Sequence, residues 1–505
     1  MLMPYSPSSA EVEHVLYRSV TVRILLINTL FFLLPALLIS SCDRAPDHPN
    51  IVVILADDMG YGDTGAYNSE SKISTPHINR IARDGMRFTD AHSPSAVCTP
   101  TRYGLLTGRY AWRTHMKRGV LVGYSKSLID TTRLTLPQLL QQNGYVTGAI
   151  GKWHLGLGSI EPVDYNQRLA PGPNALGFDY FYGIPSSLDF PPYVYVHNEW
   201  VVQAPTDTIG RSEHRRRGGG GFWRAGAIAP DFDHADVLPV TTLKAVEFID
   251  GHADSAPFFL FVPLSAPHTP WLPDSSYMGT TGAGMYGDFM AQVDDVVGDI
   301  FDALDRNDIA DKTLLIVTSD NGAHWPPGDV EHYGHRANGE LRGQKADIWE
   351  GGHRVPFIAR WPERVEAGAV SNQLVSLTDL MATAASIVQV ELPPGAAEDS
   401  YDILGLLQGT SPGLRTSMVQ HSLNGFFALR DGDWKLIPHR GSGGFSEPRE
   451  YIPEPGEPAG QLYNLSADLS ESMNLYDEHP EKVAELEELL EQIQTQGYSR
   501  PLPKR

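Results

Sequence analysis

Cysteine is nearly absent from this sequence, which has only Cys42 and Cys98 among its 505 residues. So few cysteines exclude a small fold framed by disulfides and a zinc site built from cysteine clusters. Positive charge is also scarce, because 39 lysines and arginines face 61 aspartates and glutamates, for a formal net charge of -22. That balance excludes a general nucleic-acid binder and a protein held on anionic membranes by its surface charge. An anionic substrate would therefore be held by a few local cations or by a metal ion.

An apolar run near the N-terminus, at residues 24–39, has the features of an export signal. It is short for a membrane span and contains an asparagine and a proline. The residues that follow, ending at Cys42, resemble the bacterial lipobox, so we expect a signal peptide at 1–41, lipidation of Cys42 and a polar tether at 42–48. This predicts an exported protein of the bacterial periplasm or cell surface, attached to a membrane only through its lipid. The alternative is a plain secretory signal that is cleaved nearby.

Export leaves Cys98 in an unusual position. Cysteines of exported proteins usually form pairs, and lipidation of Cys42 would leave Cys98 without a partner. Cys98 precedes a run that could begin a helix, whose N-terminal amides and dipole attract anions, and Arg102 lies four residues further on. Two alternatives stand beside a reactive role. Cys98 could be a small buried core residue, or it could form a disulfide with Cys42 that would stabilise little.

Strand and helix patterns alternate through most of the chain. Continuous apolar runs rich in β-branched residues predict strands that are buried on both faces, at 50–56, 145–150, 257–264 and 313–318. Apolar residues at helical spacing predict helices between them, starting at 76 and 135 and covering 236–250 and 286–307. This alternation predicts an α/β fold with a mostly parallel sheet.

The last hundred residues have a different pattern. A hairpin is predicted at 426–437 from its central Asp-Gly, followed by a strand at 461–464 and a helix at 480–494. This order favours a small antiparallel sheet with one helix packed against it.

Polar side chains follow the four predicted strands of the main sheet. They are Asp57 with Asp58, Lys152 with His154, His268, and Asp320 with Asn321. The carboxyl ends of parallel strands meet along one edge of a sheet, so we expect these groups to gather there. The aspartates and the asparagine are oxygen donors that suit Ca²⁺ or Mg²⁺. Taken singly, the same residues could be solvated turn aspartates, a surface lysine and a core histidine.

Cations and proton carriers complete the predicted site. Arg102, Lys152 and Lys345 can hold an anionic ester. His154 and His268 can move protons near neutral pH. With a metal ion, this set is suited to displacement at a charged phosphorus or sulfur centre, because the cations stabilise charge that develops in the transition state.

The segment Cys98-Thr99-Pro100-Thr101-Arg102, continuing to Leu106-Thr107-Gly108-Arg109, resembles the sulfatase signature Cys-x-Pro-x-Arg. Further matches are Leu-Ala-Asp57-Asp58-Met-Gly-Tyr-Gly-Asp, Gly-Lys152-Trp-His154-Leu-Gly, Pro-His268-Thr-Pro, Ser-Asp320-Asn321-Gly, and Arg-Gly-Gln-Lys345 with Glu-Gly-Gly. The resemblance extends from Pro49 to the end of the chain. It departs from the family at Gln344, where a glycine commonly precedes the lysine.

The sulfatase resemblance implies an alkaline-phosphatase-like α/β sandwich, with a large, mostly parallel sheet flanked by helices, over residues 49–400. It implies a smaller C-terminal α+β subdomain with a short antiparallel sheet over residues 401–505. It also implies one divalent ion, Ca²⁺ or alternatively Mg²⁺, and conversion of Cys98 to Cα-formylglycine by a formylglycine-generating maturation enzyme. The implied metal ligands are Asp57, Asp58, Cys98, Asp320 and Asn321.

The resemblance further implies a role for each polar group around the ester. A hydroxyl of the hydrated formylglycine at position 98 would attack sulfur, with Asp320 as its base or orienting group and Arg102 holding it. The implied sulfate-binding residues are Lys152, His268 and Lys345, and His268 or Lys345 would assist the departing alcohol. His154 would then take a proton from the remaining hydroxyl, so that the aldehyde reforms and sulfate leaves.

The leading prediction is therefore a lipoprotein sulfatase that acts on sulfated carbohydrate. The carbohydrate part depends on the habit of the family and on the aromatic-rich segment 178–195. Two alternatives remain from the sequence. One is a phosphomonoester, phosphodiester or phosphonate hydrolase of the same superfamily, and the other is a non-catalytic lipoprotein that binds sulfated glycans with Cys98 unmodified. No nucleic-acid partner is expected.

Overall fold

The structure is a computed structural model, and it describes residues 48–212 and 222–500. The chain divides into two units, Met1–His48 and Pro49–Arg505. The predicted signal peptide, Cys42 and nearly all of the tether lie outside the described residues, so their predictions stay open. Within the described residues, no helix is both long enough and apolar enough to span a bilayer.

The described residues of the second unit form four sheets. Its strands are β1 (Asn50–Asp57), β2 (Met86–Phe88), β3 (Ala91–His92), β4 (Val146–Lys152), β5 (Tyr180–Ile184), β6 (Val196–His197), β7 (Trp200–Val201), β8 (Asp207–Ile209), β9 (Gly226–Ile228), β10 (Phe258–Pro267), β11 (Thr313–Ser319), β12 (Phe357–Arg360), β13 (Ala369–Ser371), β14 (Val375–Ser376), β15 (Ser417–His421), β16 (Phe427–Asp431), β17 (Trp434–Ile437) and β18 (Gln461–Asn464). The four predicted main strands correspond to β1, β4, β10 and β11, each within a few residues of its predicted ends.

Helices separate most of these strands. They are α1 (Pro76–Arg83), α2 (Cys98–Thr107), α3 (Leu136–Gln142), α4 (Val237–His252), α5 (Gly284–Arg306), α6 (Pro327–Tyr333), α7 (Glu350–His353), α8 (Leu380–Ile387), α9 (Leu404–Leu407) and α10 (Pro480–Gln496). Helix α3 begins with a capping box in which the Thr135 side chain accepts from the Gln138 amide. Thr75 makes no such bond at the start of α1. Asp294 of α5 accepts from the His77 and Ile78 amides there instead, at 3.0 and 2.8 Å.

The main sheet has ten strands in the order β13-β2-β12-β11-β1-β10-β4-β5-β6-β7. The four central strands, β11, β1, β10 and β4, are parallel neighbours. Antiparallel pairing occurs where β12 meets β11 and β2, and where β6 meets β5 and β7. The predicted α/β class with a large, mostly parallel sheet is confirmed.

Helices cover both faces of this sheet. Alternate residues of β1 enter two separate cores, with Val53 in one and Val52 in the other. The first core receives α2, α3 and α8, and the second receives α1, α4 and α5. Burial on both faces explains why β1 reads as a continuous apolar run and not as an alternating one.

The C-terminal part forms the predicted small antiparallel sheet, in the order β15-β16-β17-β18. Strands β16 and β17 make the predicted hairpin, which closes at Gly432 and Asp433, one residue beyond the predicted centre. Helix α10 packs on this sheet through Val483, Leu486, Leu490 and Ile493. The predicted domain boundary at residue 400 stays a prediction.

Candidate active site

Four parallel strands deliver polar residues to one edge of the main sheet. Asp57 ends β1 and Lys152 ends β4, while His268 and Asp320 are the residues directly after β10 and β11. The register places Asp57 opposite Pro267, the last residue of β10. The parallel pairing therefore brings together residues that lie far apart in the sequence, as the strand-end pattern predicts.

Cys98 is the first residue of α2 and faces this edge. Val97 before it is extended, with φ -145° and ψ 156°, and every residue of α2 is buried. The Cys98 thiol is free and buried. Its Sγ atom and one carboxylate oxygen each of Asp57 and Asp320 all lie within 4.8 Å of one another.

The loop that precedes Cys98 is fixed by backbone contacts with later parts of the chain. The Ala96 amide donates to the carbonyl of His421, the last residue of β15, at 3.0 Å. The Ser93 amide donates to the carbonyl of His353, the last residue of α7, at 2.8 Å. The C-terminal half of the protein therefore holds the start of α2 in place.

The oxygen donors fit a divalent cation. Asp57 Oδ1 and Asn321 Oδ1 are buried and have no hydrogen-bond partner among the described residues. Asn321 Nδ2 donates to Asp58 Oδ1 at 2.7 Å, which fixes the orientation of the amide. Asp58 has a positive φ of 69°, an unusual conformation for a residue with a side chain. Buried oxygens without a donor are what a hard cation would satisfy, so this set could bind Ca²⁺ or Mg²⁺.

Three buried cations compensate the carboxylates. Arg102 donates to Asp320 Oδ2 from Nε and Nη2, at 3.1 and 2.8 Å, and to the Lys152 carbonyl from Nη1 at 2.7 Å. Lys152 Nζ contacts Asp57 Oδ2, and Lys345 Nζ lies 2.7 Å from Asp58 Oδ1. Such close pairing is required, because an isolated buried charge is costly.

These charges set the protonation of the carboxylates. Burial alone would raise the pKa of Asp57. The surrounding positive charges, of which Lys152 has the largest effect, hold that pKa well below its ordinary value. Burial and the neighbouring charge of Asp57 raise the pKa of Asp320 to about 7, although Arg102 opposes this. The pKa values of two carboxylates in one site move apart in this way, because the negative charge of one makes ionisation of the other less favourable.

Burial also raises the pKa of the Cys98 thiol, although Lys152 and Lys345 oppose this. A cysteine that reacts as a thiolate normally has a lowered pKa. The unmodified thiol is therefore a poor nucleophile in this environment.

His154 is a buried neutral base. Its Nε2 lies 2.8 Å from the carbonyl of Leu121, and a carbonyl only accepts, so Nε2 carries the proton. Nδ1 is buried and has no partner among the described residues. Burial, Lys152 and Arg102 keep the pKa of His154 well below its ordinary value. The chain leaves extended geometry here, with φ 57° at His154, so simple strand alternation does not orient this ring.

His268 lies beside the carboxylates of Asp57 and Asp58. Its Nδ1 donates to the Thr269 carbonyl at 2.5 Å, and its Nε2 lies 3.9 Å from Asp58 Oδ2. Burial and the charge of Lys345 lower the pKa of His268. Its Nε2 is therefore the atom that can exchange a proton in this site.

A pocket of about 290 Å³ opens at His268 and Lys345. Sequence reasoning missed most of its remaining lining, which includes Asp189, Phe222, Arg224, Trp271, His324 and Phe445. Arg224 Nη1 donates to Asp189 Oδ2 at 2.6 Å. Asp189 Oδ1 is buried and has no partner within the described part of the chain. For Asp189 the sequence contains one indication of a role in this pocket, because the residue lies in the aromatic-rich segment 178–195. No sequence pattern indicates such a role for Arg224 or Phe445.

A second charged cluster, also missed from the sequence, links the C-terminal sheet to α7. Lys435 Nζ of β17 lies 2.9 Å from Glu350 Oε1, 2.8 Å from Glu471 Oε1 and 3.1 Å from His353 Nε2. The Gly322 amide donates to the carbonyl of Gly352 in helix α7 at 3.0 Å. Gly322 directly follows Asn321, so Lys435 supports the loop that carries part of the oxygen-donor set.

Comparison with known proteins identifies related chains over the same region. The Sulfatase family model matches residues 49–390. An N-acetylgalactosamine-6-O-sulfatase of Bacteroides thetaiotaomicron is 37% identical over 488 residues, covering 88% of this chain and 93% of that protein. The human N-acetylgalactosamine-6-sulfatase is 33% identical over 380 residues, covering 72% of this chain and 67% of that protein.

Solved structures agree with this relationship. A Bacteroides thetaiotaomicron chain, described under the metabolism of multiple glycosaminoglycans, superposes with a TM-score of 0.80 at 36% identity and covers 89% of this chain and 100% of its own. A sulfatase from Pseudoalteromonas sp. superposes with a TM-score of 0.70 at 26% identity, covering 91% of this chain and 93% of its own.

Proposed function

Since the chain belongs to the sulfatase family, we propose that this sulfuric ester hydrolase removes 6-sulfate groups from N-acetylgalactosamine in a sulfated carbohydrate. The observation that carries the proposal is the meeting of Cys98, Asp57 and Asp320 within 4.8 Å at an edge rich in buried cations. The names of the related proteins support the choice of sugar and of sulfate position.

Asp57, Asp58, Asp320 and Asn321, together with the modified side chain at position 98, would hold the divalent ion. That ion would act as a Lewis acid toward the ester oxygens. We further propose that Cys98 is converted to Cα-formylglycine, whose hydrate supplies the attacking oxygen. The raised pKa of the unmodified thiol supports this, because a protonated thiol is a poor nucleophile.

The other side chains then have distinct tasks. Lys152 and Lys345 place two positive charges where the sulfate oxygens would lie, and Arg102 fixes Asp320 through two hydrogen bonds. His268 would deliver a proton from Nε2 to the departing sugar oxygen as an imidazolium, because the neutral ring keeps its single proton on Nδ1, bonded to the Thr269 carbonyl. His154 Nδ1 would accept the proton that must leave position 98 for sulfate to be released.

The pocket next to His268 would hold the sugar. Its aromatic side chains and few convergent polar groups are typical of a small-ligand site. Asp189 Oδ1 is a buried acceptor that a sugar hydroxyl could satisfy, while Arg224 occupies the other oxygen of the same carboxylate.

Two measurements test the function. Release of sulfate from N-acetylgalactosamine-6-sulfate, beside parallel rates on aryl sulfate and aryl phosphate, separates a sulfatase from a phosphate hydrolase of the same superfamily. A preference for phosphate would contradict the proposal. The mass of the peptide containing Cys98, taken from a host with the maturation enzyme, should show an aldehyde in place of the thiol. An unmodified thiol in fully active protein would exclude the formylglycine.

We also propose that the protein is exported and anchored through lipid on Cys42. The lipobox-like sequence that ends at this residue supports the proposal. Incorporation of a labelled fatty acid should occur in the wild-type protein and disappear in Cys42→Ala. Equal labelling of both proteins would exclude this anchor.

A further inference from the structure

The turn that follows β1 holds Asp58 in a left-handed backbone conformation, with φ 69°. Few residues with a side chain adopt this conformation, and those that do are held there by their surroundings. The Asp58 carboxylate belongs to the oxygen-donor set, where its oxygens meet Asn321 and Lys345. Contacts that fix the backbone of this turn therefore also fix a proposed ligand of the divalent ion.

Asp63, a fully buried residue further along the same loop, makes these contacts. Its Oδ2 accepts a hydrogen bond from the Gly60 amide at 2.6 Å and another from the Tyr286 hydroxyl. The Tyr286 oxygen also lies 3.1 Å from the Asp58 carbonyl oxygen, within hydrogen-bond distance. The Asp63 carboxylate thus holds the turn at two points, directly at the Gly60 amide and through Tyr286 at the Asp58 carbonyl.

The other oxygen of Asp63 meets His335, because Oδ1 lies 2.8 Å from His335 Nε2. The Lys72 amide donates to His335 Nδ1 at 3.4 Å, so the ring proton is on Nε2 and bonds Asp63. The Trp325 indole N–H donates to the His335 carbonyl at 2.9 Å. His335 is therefore fixed by hydrogen bonds of its own, and it fixes the carboxylate that holds the turn.

Tyr286 is held as firmly as His335. It lies in α5, and its ring centre is 4.8 Å from that of Trp325 and 5.6 Å from that of Trp271, which lines the catalytic pocket. Burial and the charge of Asp63 keep the pKa of Tyr286 well above its ordinary value. The hydroxyl therefore keeps its proton and acts as a donor.

We propose that Asp63 is a positioning residue for the divalent ion, acting on Asp58 through Gly60 and Tyr286. The inference rests on the metal site of the proposed function. Asp63 is not itself a ligand, because the Gly60, Tyr286 and His335 donors occupy its two oxygens. Without these bonds the backbone at Asp58 relaxes toward a commoner conformation, which moves its carboxylate. Partners that orient a metal ligand typically change metal affinity by roughly 10–100-fold.

The experiment measures the Kd for Ca²⁺, with Mg²⁺ in parallel, by calorimetric titration of the mature protein after chelator treatment. Tyr286→Phe removes only the hydroxyl, and its Kd should rise about five-fold, the effect of one lost hydrogen bond. Asp63→Asn replaces one acceptor oxygen with an NH₂ group, and its Kd should rise roughly 10–100-fold. Excess ion should restore the kcat of Tyr286→Phe, because the hydroxyl affects occupancy of the ion and not the chemical step.

Tyr145→Phe is the matched control. The buried Tyr145 hydroxyl donates to the Pro49 carbonyl at 2.8 Å, so it holds the residue before β1 as Tyr286 holds the residue directly after it. Its loss should lower the unfolding midpoint as Tyr286→Phe does, but leave the Kd for both ions unchanged. A Tyr286→Phe protein that loses stability in the same way and binds both ions with the wild-type Kd overturns the inference. This comparison holds even if Asp63→Asn does not fold.

The same preparations separate this inference from the proposed function. A wild-type protein that binds neither ion overturns the role of Asp63 and the metal site together. Ion binding that weakens in Tyr286→Phe, combined with a preference for aryl phosphate over sulfate esters, overturns the proposed sulfatase activity and supports the role of Asp63.

Discussion

Arg102 donates two hydrogen bonds to a single carboxylate oxygen of Asp320, at 2.8 and 3.1 Å, and both side chains are fully buried. The same guanidinium also reaches the Lys152 carbonyl at 2.7 Å. It thereby joins the ends of two strands, β4 and β11, to the helix that begins with Cys98. A lysine cannot make these bonds together, because its ammonium is a point donor.

Arg102→Lys should therefore lose both activity and stability. We expect kcat/KM to fall by roughly 10²-fold or more and the free energy of unfolding by about 3 kcal/mol, since Asp320 loses its paired donors. Arg168→Lys is the control, because Arg168 forms an exposed pair with Glu199. Its unfolding free energy in urea should change by less than about 1 kcal/mol. Equal effects of the two substitutions would contradict this account of Arg102.

Cys98→Ser should abolish turnover while the protein stays folded, because serine fits the same buried space but does not become formylglycine. We expect a loss of roughly 10³-fold or more in kcat and an unfolding midpoint close to that of the wild type. Wild-type protein made without the maturation enzyme should show the same loss. Full activity in the serine variant would refute the formylglycine proposal.

Removal of divalent metal should lower thermal stability. An ion present at 100 times its Kd adds about 2.7 kcal/mol to the free energy of unfolding, and a chelator should remove that contribution. Readdition of Ca²⁺ or Mg²⁺ should restore it, and Asn321→Ala should weaken the restoration because one buried oxygen is lost. Asp130→Asn, at an exposed carboxylate, serves as the control. A melting temperature that changes neither with the chelator nor with added metal would exclude a bound divalent ion.

Acid should destabilise the protein partly through His421, which lies outside the catalytic edge. Burial lowers its pKa from 6.5 to about 4. Between pH 6.5 and pH 4 the unfolded chain therefore binds a proton at His421 that the folded protein does not bind. The contribution of His421 to the free energy of unfolding is fully present above pH 6.5 and is lost as the pH falls toward 4. A shift of this size corresponds to roughly 3 kcal/mol. The free energy of unfolding in urea should differ less between pH 7 and pH 5 in His421→Gln than in the wild type. His332→Gln, at an exposed position, should show the same difference as the wild type.

Lys435→Met should destabilise the protein by about 3–5 kcal/mol, because the buried carboxylates of Glu350 and Glu471 lose their shared cation. Lys482→Met, which removes an exposed helix pair, should cost less than about 1 kcal/mol. Adding Glu471→Gln to Lys435→Met should recover part of the loss, since one uncompensated charge disappears. A double variant no more stable than Lys435→Met would contradict this explanation.

The main features of the fold and of the catalytic edge could be predicted from local patterns. The β1 run is apolar throughout because both faces are buried, and Asp57 directly follows it. Parallel pairing then makes His268 and Asp320 neighbours of Asp57 without any information on side-chain contacts. For that reason the strand ends, the central strands and the C-terminal hairpin could be derived from the sequence alone.

Contacts between distant loops could not be predicted in the same way. Lys435 meets Glu350 and Glu471 because the C-terminal sheet docks beside α7, and no local periodicity encodes that docking. Asp189 and Arg224 meet in the sugar pocket across an irregular segment that has little regular structure. The antiparallel orientation of β12 likewise depends on long-range pairing and not on its own composition.

The anchoring of the loop before Cys98 has a consequence for the order of events in biosynthesis. The carbonyls of His353 and His421 that fix this loop, and the lysine that supports α7, all belong to later parts of the chain. Roughly 340 residues separate Cys98 from Lys435, which is about 20–70 s of synthesis at 5–20 residues per second. During that interval the thiol is not yet enclosed, whereas in the finished protein it is 3% exposed. The proposed conversion of Cys98 must therefore take place on the growing or still unfolded chain, before folding encloses the thiol.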